Sequence, residues 1–264
     1  MADETLIRIN DLAYNYAPGA PALDGFSFSV KRGERVGLVG RNGAGKSTLF
    51  LCMAGILEGF SGKIEIKGLS ASNPKDLKEI RRALGIVFQS ADDQLFNPTV
   101  LDDVAFGPRN LGVDRAEAIE RSRSALECVG VTEDLFDRPP QRLSGGQKRR
   151  AALAGIMVMD PDILLLDEPC SDLDPAGRRS LLDLLANISC TQIVASHDLE
   201  MIRELADRVI VLDSGKVVGQ GPTDEILADE TLMKAHGLEV PYSLTCCHEH
   251  PSNVAIRKGL RHTH

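Results

Sequence analysis

Tryptophan is missing from this chain, and only 3 tyrosines and 8 phenylalanines occur among its 264 residues. Its core must therefore be aliphatic, and any aromatic face for a flat ligand comes from a handful of positions. Cysteine is also sparse: Cys52, Cys128, Cys170 and Cys190 are scattered, and Cys246 and Cys247 are adjacent near the end. That spacing is no disulfide framework, which makes the cytosol the expected compartment. The longest apolar run, residues 151–159, falls far short of the roughly 20 residues a spanning helix needs. The opening MADETLIRIN has neither the basic start nor the apolar centre of a leader. The chain is thus expected neither to be secreted by a cleavable signal nor to insert itself. Positive charge is in deficit, with 30 Lys and Arg against 38 Asp and Glu and a net charge of −8. Without an overall positive field, no nucleic acid partner is expected.

What is present is an alternation of apolar β-branched stretches with longer helical patterns, the mark of a largely parallel sheet covered by helices. Strands are expected at 6–9, 35–39, 64–66, 85–88, 163–166, 192–195 and 209–212, with 35–39 and 163–166 central and buried because, Arg35 apart, they are apolar without alternation. Between residues 102 and 159 the alternation stops: 114–129 reads as a helix, Pro139-Pro140 breaks the chain, and Ser144 begins another helix. The first few dozen residues and 62–67 suggest short strands with Gly and Pro turns, forming a small antiparallel sheet. A short helix is expected over 222–227, and apolar periodicity ends at Pro241.

Gly40-Arg41-Asn42-Gly43-Ala44-Gly45-Lys46-Ser47 fits G-x-x-x-x-G-K-[ST] at every fixed position, and it follows an expected strand and opens a helix through Thr48. Glycines let backbone amides curl around phosphate oxygens, Lys46 would neutralise the β- and γ-phosphates, and Ser47 would ligate Mg²⁺. Asp167 and Glu168 close the apolar strand 163–166. Alone, such a pair would read as a turn former or helix cap; beside a phosphate loop it places Asp167 in the metal sphere and Glu168 as general base.

Further motifs follow in a telling order: Tyr16, Gln89, Leu143-Ser144-Gly145-Gly146-Gln147, Ser171-Asp172-Leu173-Asp174, and His197 within Ala195-Ser196-His197-Asp198. Over about residues 6–227 the chain resembles the ATP-binding cassette (ABC) ATPase subunits. The resemblance implies a P-loop NTPase (RecA-like) α/β fold, mainly a parallel sheet core with a small antiparallel β subdomain. A helical subdomain at about 90–158 would be inserted in an ATPase domain spanning 1–240, with a tail at 241–264. It implies ATP and Mg²⁺ as cofactors, with Tyr16 as the adenine-stacking aromatic and Gln89 near metal and water. His197 would be the switch histidine, and Asp174 would belong to the D-loop. Ser144, Gly145 and Gly146 would form an anion site that meets the γ-phosphate held by another subunit, so a homodimer or a heterodimer with a related ATPase is implied. Cys170 and Asp172 depart from the small residues common in the family at those places.

The segment 87–100, continuing to Gly107-Pro108, is similar to that of ATPases of energy-coupling factor transporters, which take up vitamins or cobalt and nickel ions. This implies integral membrane coupling and substrate-binding subunits as partners, contacted beside Gln94-Leu95-Phe96, and a place on the cytoplasmic face of the membrane. The ending holds Cys246, Cys247, His248, His250, His262 and His264. It reads either as a polar tail without a ligand or as a site for a late first-row metal.

Overall fold

The computed structural model describes residues 4–17 and 19–245. Two sheets organise it. The smaller is antiparallel, in the order β2-β1-β4-β5, with β1 at Thr5–Ala17, β2 at Ala20–Lys31, β4 at Ser61–Ile66 and β5 at Leu69–Ser70. The larger has the order β10-β9-β3-β8-β7-β6 and is parallel except for β10, with β3 at Arg35–Val39, β6 at Leu84–Val87, β7 at Ile163–Asp167, β8 at Thr191–Ser196, β9 at Arg208–Asp213 and β10 at Lys216–Pro222.

Because side chains alternate along a strand, the parallel sheet divides the core in two. Leu38, Leu165, Ile193 and Ile210 pack toward the antiparallel sheet and helix α1 (Lys46–Met53). Val39, Leu164, Leu166, Val194 and Val211 pack on the other face. There they meet α3 (Val100–Asn110), α4 (Arg115–Cys128), α5 (Gly145–Met157), α6 (Pro175–Asn187) and α7 (Leu199–Leu205), while α2 (Leu77–Ala83) leads into β6. Both faces being covered explains why these strands are apolar without alternation.

The expected strands are all present within three residues except at the front. The short strands expected there are one long hairpin, 13 residues of β1 against 12 of β2. Its pairing slips repeatedly, at Ile9/Leu12 among other places, and Asp11 takes a left-handed φ of 49°. These bulges interrupt the period-two pattern without ending the strands, which is why the pattern reads as several short pieces.

The chain's end also differs from expectation. After α8 (Thr223–Ala228) and α9 (Glu230–Ala235), Pro241 is buried and a short helix α10 covers Tyr242–Thr245. The Ser243 backbone N–H and hydroxyl both donate to Glu200, at 2.9 and 2.5 Å, so packing continues past Pro241. The Cys246 to His264 segment lies outside the described residues.

Candidate functional site

The strand ends of the parallel sheet converge on one loop. Residues 40–45 connect β3 to α1, and close packing dictates glycine at two of them. A Cβ on Gly40 would stand 2.3 Å from the Leu212 carbonyl oxygen, and Gly45 has φ +107° with the Ala22 carbonyl 2.5 Å from where a Cβ would be. The loop curls so that Lys46 Nζ donates to its own carbonyls, at 2.6 Å to Gly40 and 3.2 Å to Arg41. Burial pulls the Lys46 ammonium below its ordinary value, against the upward pull of Glu168 and Asp167. An anion in the loop would relieve that cost.

Ser47 Oγ donates to Asp167 Oδ2 at 2.5 Å. Burial pushes the Asp167 carboxyl up, opposed by this hydrogen bond. Ser47, Asp167 and Gln89 share one cavity of about 530 Å³ with Tyr16, Asn42, Gly43, Gly45, Lys46, Thr48 and Glu168. Hard oxygen donors beside a carboxylate whose charge is disfavoured by burial fit Mg²⁺, whose charge would offset that cost. Tyr16 is 61% exposed at the end of β1. Its ring meets Tyr14 edge-on at 5.1 Å, and its hydroxyl lies 3.2 Å from Thr48 Oγ1. A broad aromatic face is thus open to solvent above the loop.

Glu168 lines this cavity, yet its carboxylate turns to the end of β8. Oε2 accepts from Ser196 Oγ at 2.6 Å, and Oε1 accepts from the His197 backbone N–H at 3.0 Å and lies 2.8 Å from His197 Nδ1. Its backbone is in the left-handed region, φ 47°, an uncommon conformation for Glu that turns the chain sharply after β7.

Ser144, Gly145 and Gly146 sit elsewhere. Ser144 caps α5 in a reciprocal box: its Oγ accepts from Gln147 N at 3.3 Å, and Gln147 Oε1 accepts from Ser144 N at 2.9 Å. Gly145 belongs to a second cavity, of about 660 Å³, which Gln89 and Asp167 also line. Asp174 caps α6, its Oδ1 accepting from Gly177 N at 2.8 Å, and neither cavity includes it. The structure therefore gathers most sequence-derived site residues at the phosphate loop and leaves Ser144, Gly145, Gly146 and Asp174 outside its cavity.

Three participants escape the sequence reading. Ser196 holds Glu168, Arg149 is buried between loops, and Asp103 supports the segment after Gln89. Ser196, beside His197, and Asp103, inside the segment continuing to Gly107-Pro108, had a local signal, whereas Arg149 had none.

A phosphate loop at a strand-to-helix junction, with Ser-Asp-Glu convergent beside it, defines a P-loop nucleotide hydrolase. A family model described as ABC transporter matches residues 23–171. The energy-coupling factor transporter ATP-binding protein of Methanothermobacter thermautotrophicus is 46% identical over 240 residues, 89% of this chain and 77% of that one. Among solved structures, cbiO1 from Clostridium perfringens, described as part of the ABC transporter complex cbiONQ, has TM-score 0.78 and 37% identity over 93% of this chain and 99% of its own. A dimeric ATP-binding cassette in a post-hydrolysis state, bound to ADP and Pi, has TM-score 0.73 and 26% identity over 82% of this chain and 98% of its own. The chain belongs to the ABC transporter family, as an ATP-hydrolysing subunit of the energy-coupling factor type.

Proposed function

We propose that this subunit drives uptake of a transition metal ion, cobalt or nickel, through separate integral membrane subunits, from the cytoplasmic face of the membrane. In this reading two such ATPases, identical or related, close around two ATP molecules. Lys46 and the amides of Gly43, Gly45 and Thr48 hold phosphate, and Tyr16 stacks on adenine. Ser47, Asp167 and Gln89 would hold Mg²⁺, which when bound would supply charge stabilisation for phosphoryl transfer. Glu168 takes the proton of the attacking water, with His197 at the γ-phosphate. Ser144, Gly145 and Gly146 meet the nucleotide of the opposite subunit, with Asp174 at the seam.

The observation that carries the membrane coupling is a groove of about 310 Å³ beside the catalytic loop. It is lined by Phe96, Asp103, Phe106, Leu111, Ile156 and Met159 among others. Phe96 and Phe106 are 63% and 44% exposed and pack edge-to-face at 5.0 Å. Asp103 Oδ1 accepts from Phe96 N, Asn97 N and Asn97 Nδ2 at 2.9–3.0 Å, whereas its buried Oδ2 has no partner. Exposed aromatics rimming a largely apolar groove suit an apolar helix, here from the membrane coupling subunit. The Gln94 side chain faces inward instead, bonded to Phe88 N and Ile86 O at 3.0 Å, so contact falls to Phe96 and Phe106. Support for a metal cargo is the concentration of Cys246, Cys247, His248, His250, His262 and His264 in the sequence, and that for a dimer the likeness to the dimeric cassette.

The test is co-expression with candidate membrane coupling and substrate-binding subunits, followed by ATP-driven uptake of radioactive cobalt, nickel or vitamins into vesicles. Metal uptake supports the reading, and vitamin uptake alone replaces the cargo. Phe96→Asp should abolish assembly while ATP affinity of the isolated chain stays within about twofold. Unchanged assembly would discard the groove as the docking site.

A further inference from the structure

We propose that Arg149 is a positioning residue for hydrolysis: its guanidinium fixes the backbone on both sides of Gln89 and the turn after Glu168, tying both to helix α5. Arg149 is only 5% exposed. Nη1 donates to the Phe88 carbonyl at 2.7 Å, and Nη2 donates to the Gln89 carbonyl at 2.6 Å and to Ser171 Oγ at 3.1 Å. Ser171 Oγ in turn donates to the Glu168 carbonyl at 3.0 Å. The neighbouring Lys148 Nζ reaches Asp92 Oδ1 at 2.6 Å, so two successive side chains of α5 grip both ends of the segment 88–92.

The geometry is specific to a planar fork. Holding the carbonyls of two consecutive residues sets the peptide planes before and after Gln89, and those planes set the direction of its Cα–Cβ bond. Gln89 lines both the phosphate-loop cavity and the cavity of Gly145, so a small rotation there moves its amide out of the site. The third arm acts at Glu168, whose left-handed backbone needs support from its surroundings.

Stability alone does not account for this cation. Among the described residues no carboxylate forms an ion pair with it, and burial draws its guanidinium below the ordinary value against a weaker upward pull that includes Asp172 and Asp167. Neutral carbonyls offset that cost only in part, and an apolar side chain of similar volume would pack there at no such expense. What an apolar residue would not do is make Gln89, the Glu168 turn and the helix that begins after Ser144 move as one body.

The proposal rests on the reading of Gln89 as a group beside metal and water, and the variants separate the two. Arg149→Lys, Arg149→Ala, Ser171→Ala and Gln89→Ala are compared in the full chain for kcat, KM, binding of a fluorescent ATP analogue and melting temperature. Arg149→Lys, a single point donor in place of the fork, should lose about tenfold or more in kcat with KM and nucleotide affinity within about twofold. Guanidinium ion at millimolar concentration should restore part of the kcat of Arg149→Ala and leave the wild type unaffected. Ser171→Ala should lose about threefold in kcat with a melting temperature lowered by only about 2–4 °C. Wild-type kcat in Arg149→Lys overturns the proposal, as does a loss in Arg149→Ala that tracks melting and ignores guanidinium. Should Arg149→Ala fail to fold, Arg149→Lys and Ser171→Ala decide. If Gln89→Ala keeps wild-type kcat while Arg149→Lys does not, the reading of Gln89 fails and the hold on the Glu168 turn stands.

Discussion

Both carboxylate oxygens of Glu168 are engaged, one by Ser196 and the other by the His197 backbone and ring. These three contacts take up most of the roughly four acceptor sites of a carboxylate and fix its direction, so the strand end of β8 and the chemistry of Glu168 are coupled through hydrogen bonds of charge-assisted strength. Replacing the carboxylate with an amide removes the proton acceptor while keeping size. Glu168→Gln should bind ATP normally and lose about 10²–10⁴ in hydrolysis, accumulating with ATP as a closed dimer in light scattering. Ordinary turnover in that variant would remove Glu168 from the base role. Glu168 was legible as a candidate because the Asp-Glu pair that ends an apolar strand accompanies a complete phosphate loop in the same sequence. Arg149 was not: Lys148-Arg149-Arg150 reads as a solvated charge run, and only the packing of α5 against residues 88–92 buries its middle member.

Helix α5 shows how one element can serve two sites. The box between Ser144 and Gln147 satisfies the amides of those two residues. The amides of Gly145 and Gly146 are then the first of the helix without a partner inside it, and their glycines leave nothing to shield an approaching anion. The spacing Ser-x-x-Gln announces such a start in the sequence; where the helix points is decided by tertiary packing. Neither Ser144 nor Gly146 lines the phosphate-loop cavity of its own chain. Ser144→Arg would place a bulky cation before those amides and cost about 1 kcal/mol of capping. It should leave ATP affinity of the monomer within about twofold and abolish ATP-driven dimerisation, measured by nucleotide binding and light scattering on the same sample. Collapse of monomer affinity instead would mean that Ser144 acts on its own phosphate loop. The β1-β2 hairpin is the opposite case, an element whose existence was visible and whose length was hidden by bulges.

At the scale of the whole molecule, the two sheets must stay in register for the phosphate loop to meet Tyr16 at the end of β1. Asp162, immediately before β7, is the crossing point: its oxygens accept from Lys67, at the turn between β4 and β5, and from Arg32, just after β2 and paired in turn with Glu4. The Lys67 hydrogen bond is the chief reason the Asp162 carboxyl lies below its ordinary 3.8, with Arg32 adding to it against partial burial. A lowered folded-state value means that this stability is present above the unfolded pKa and fades as pH falls through the lower one. The groups are partly exposed, so the network should contribute about 1 kcal/mol and no more. Asp162→Asn is therefore expected to lower the melting temperature by about 2–4 °C at pH 7, and in urea titrations its deficit relative to the wild type should shrink as pH drops from 5 toward 3. A deficit that holds constant over that range would show that shape, rather than charge, joins the antiparallel sheet to the parallel core. In that case Lys67→Met should be as stable as the wild type at neutral pH, whereas loss of the charge network should make it as weak as Asp162→Asn.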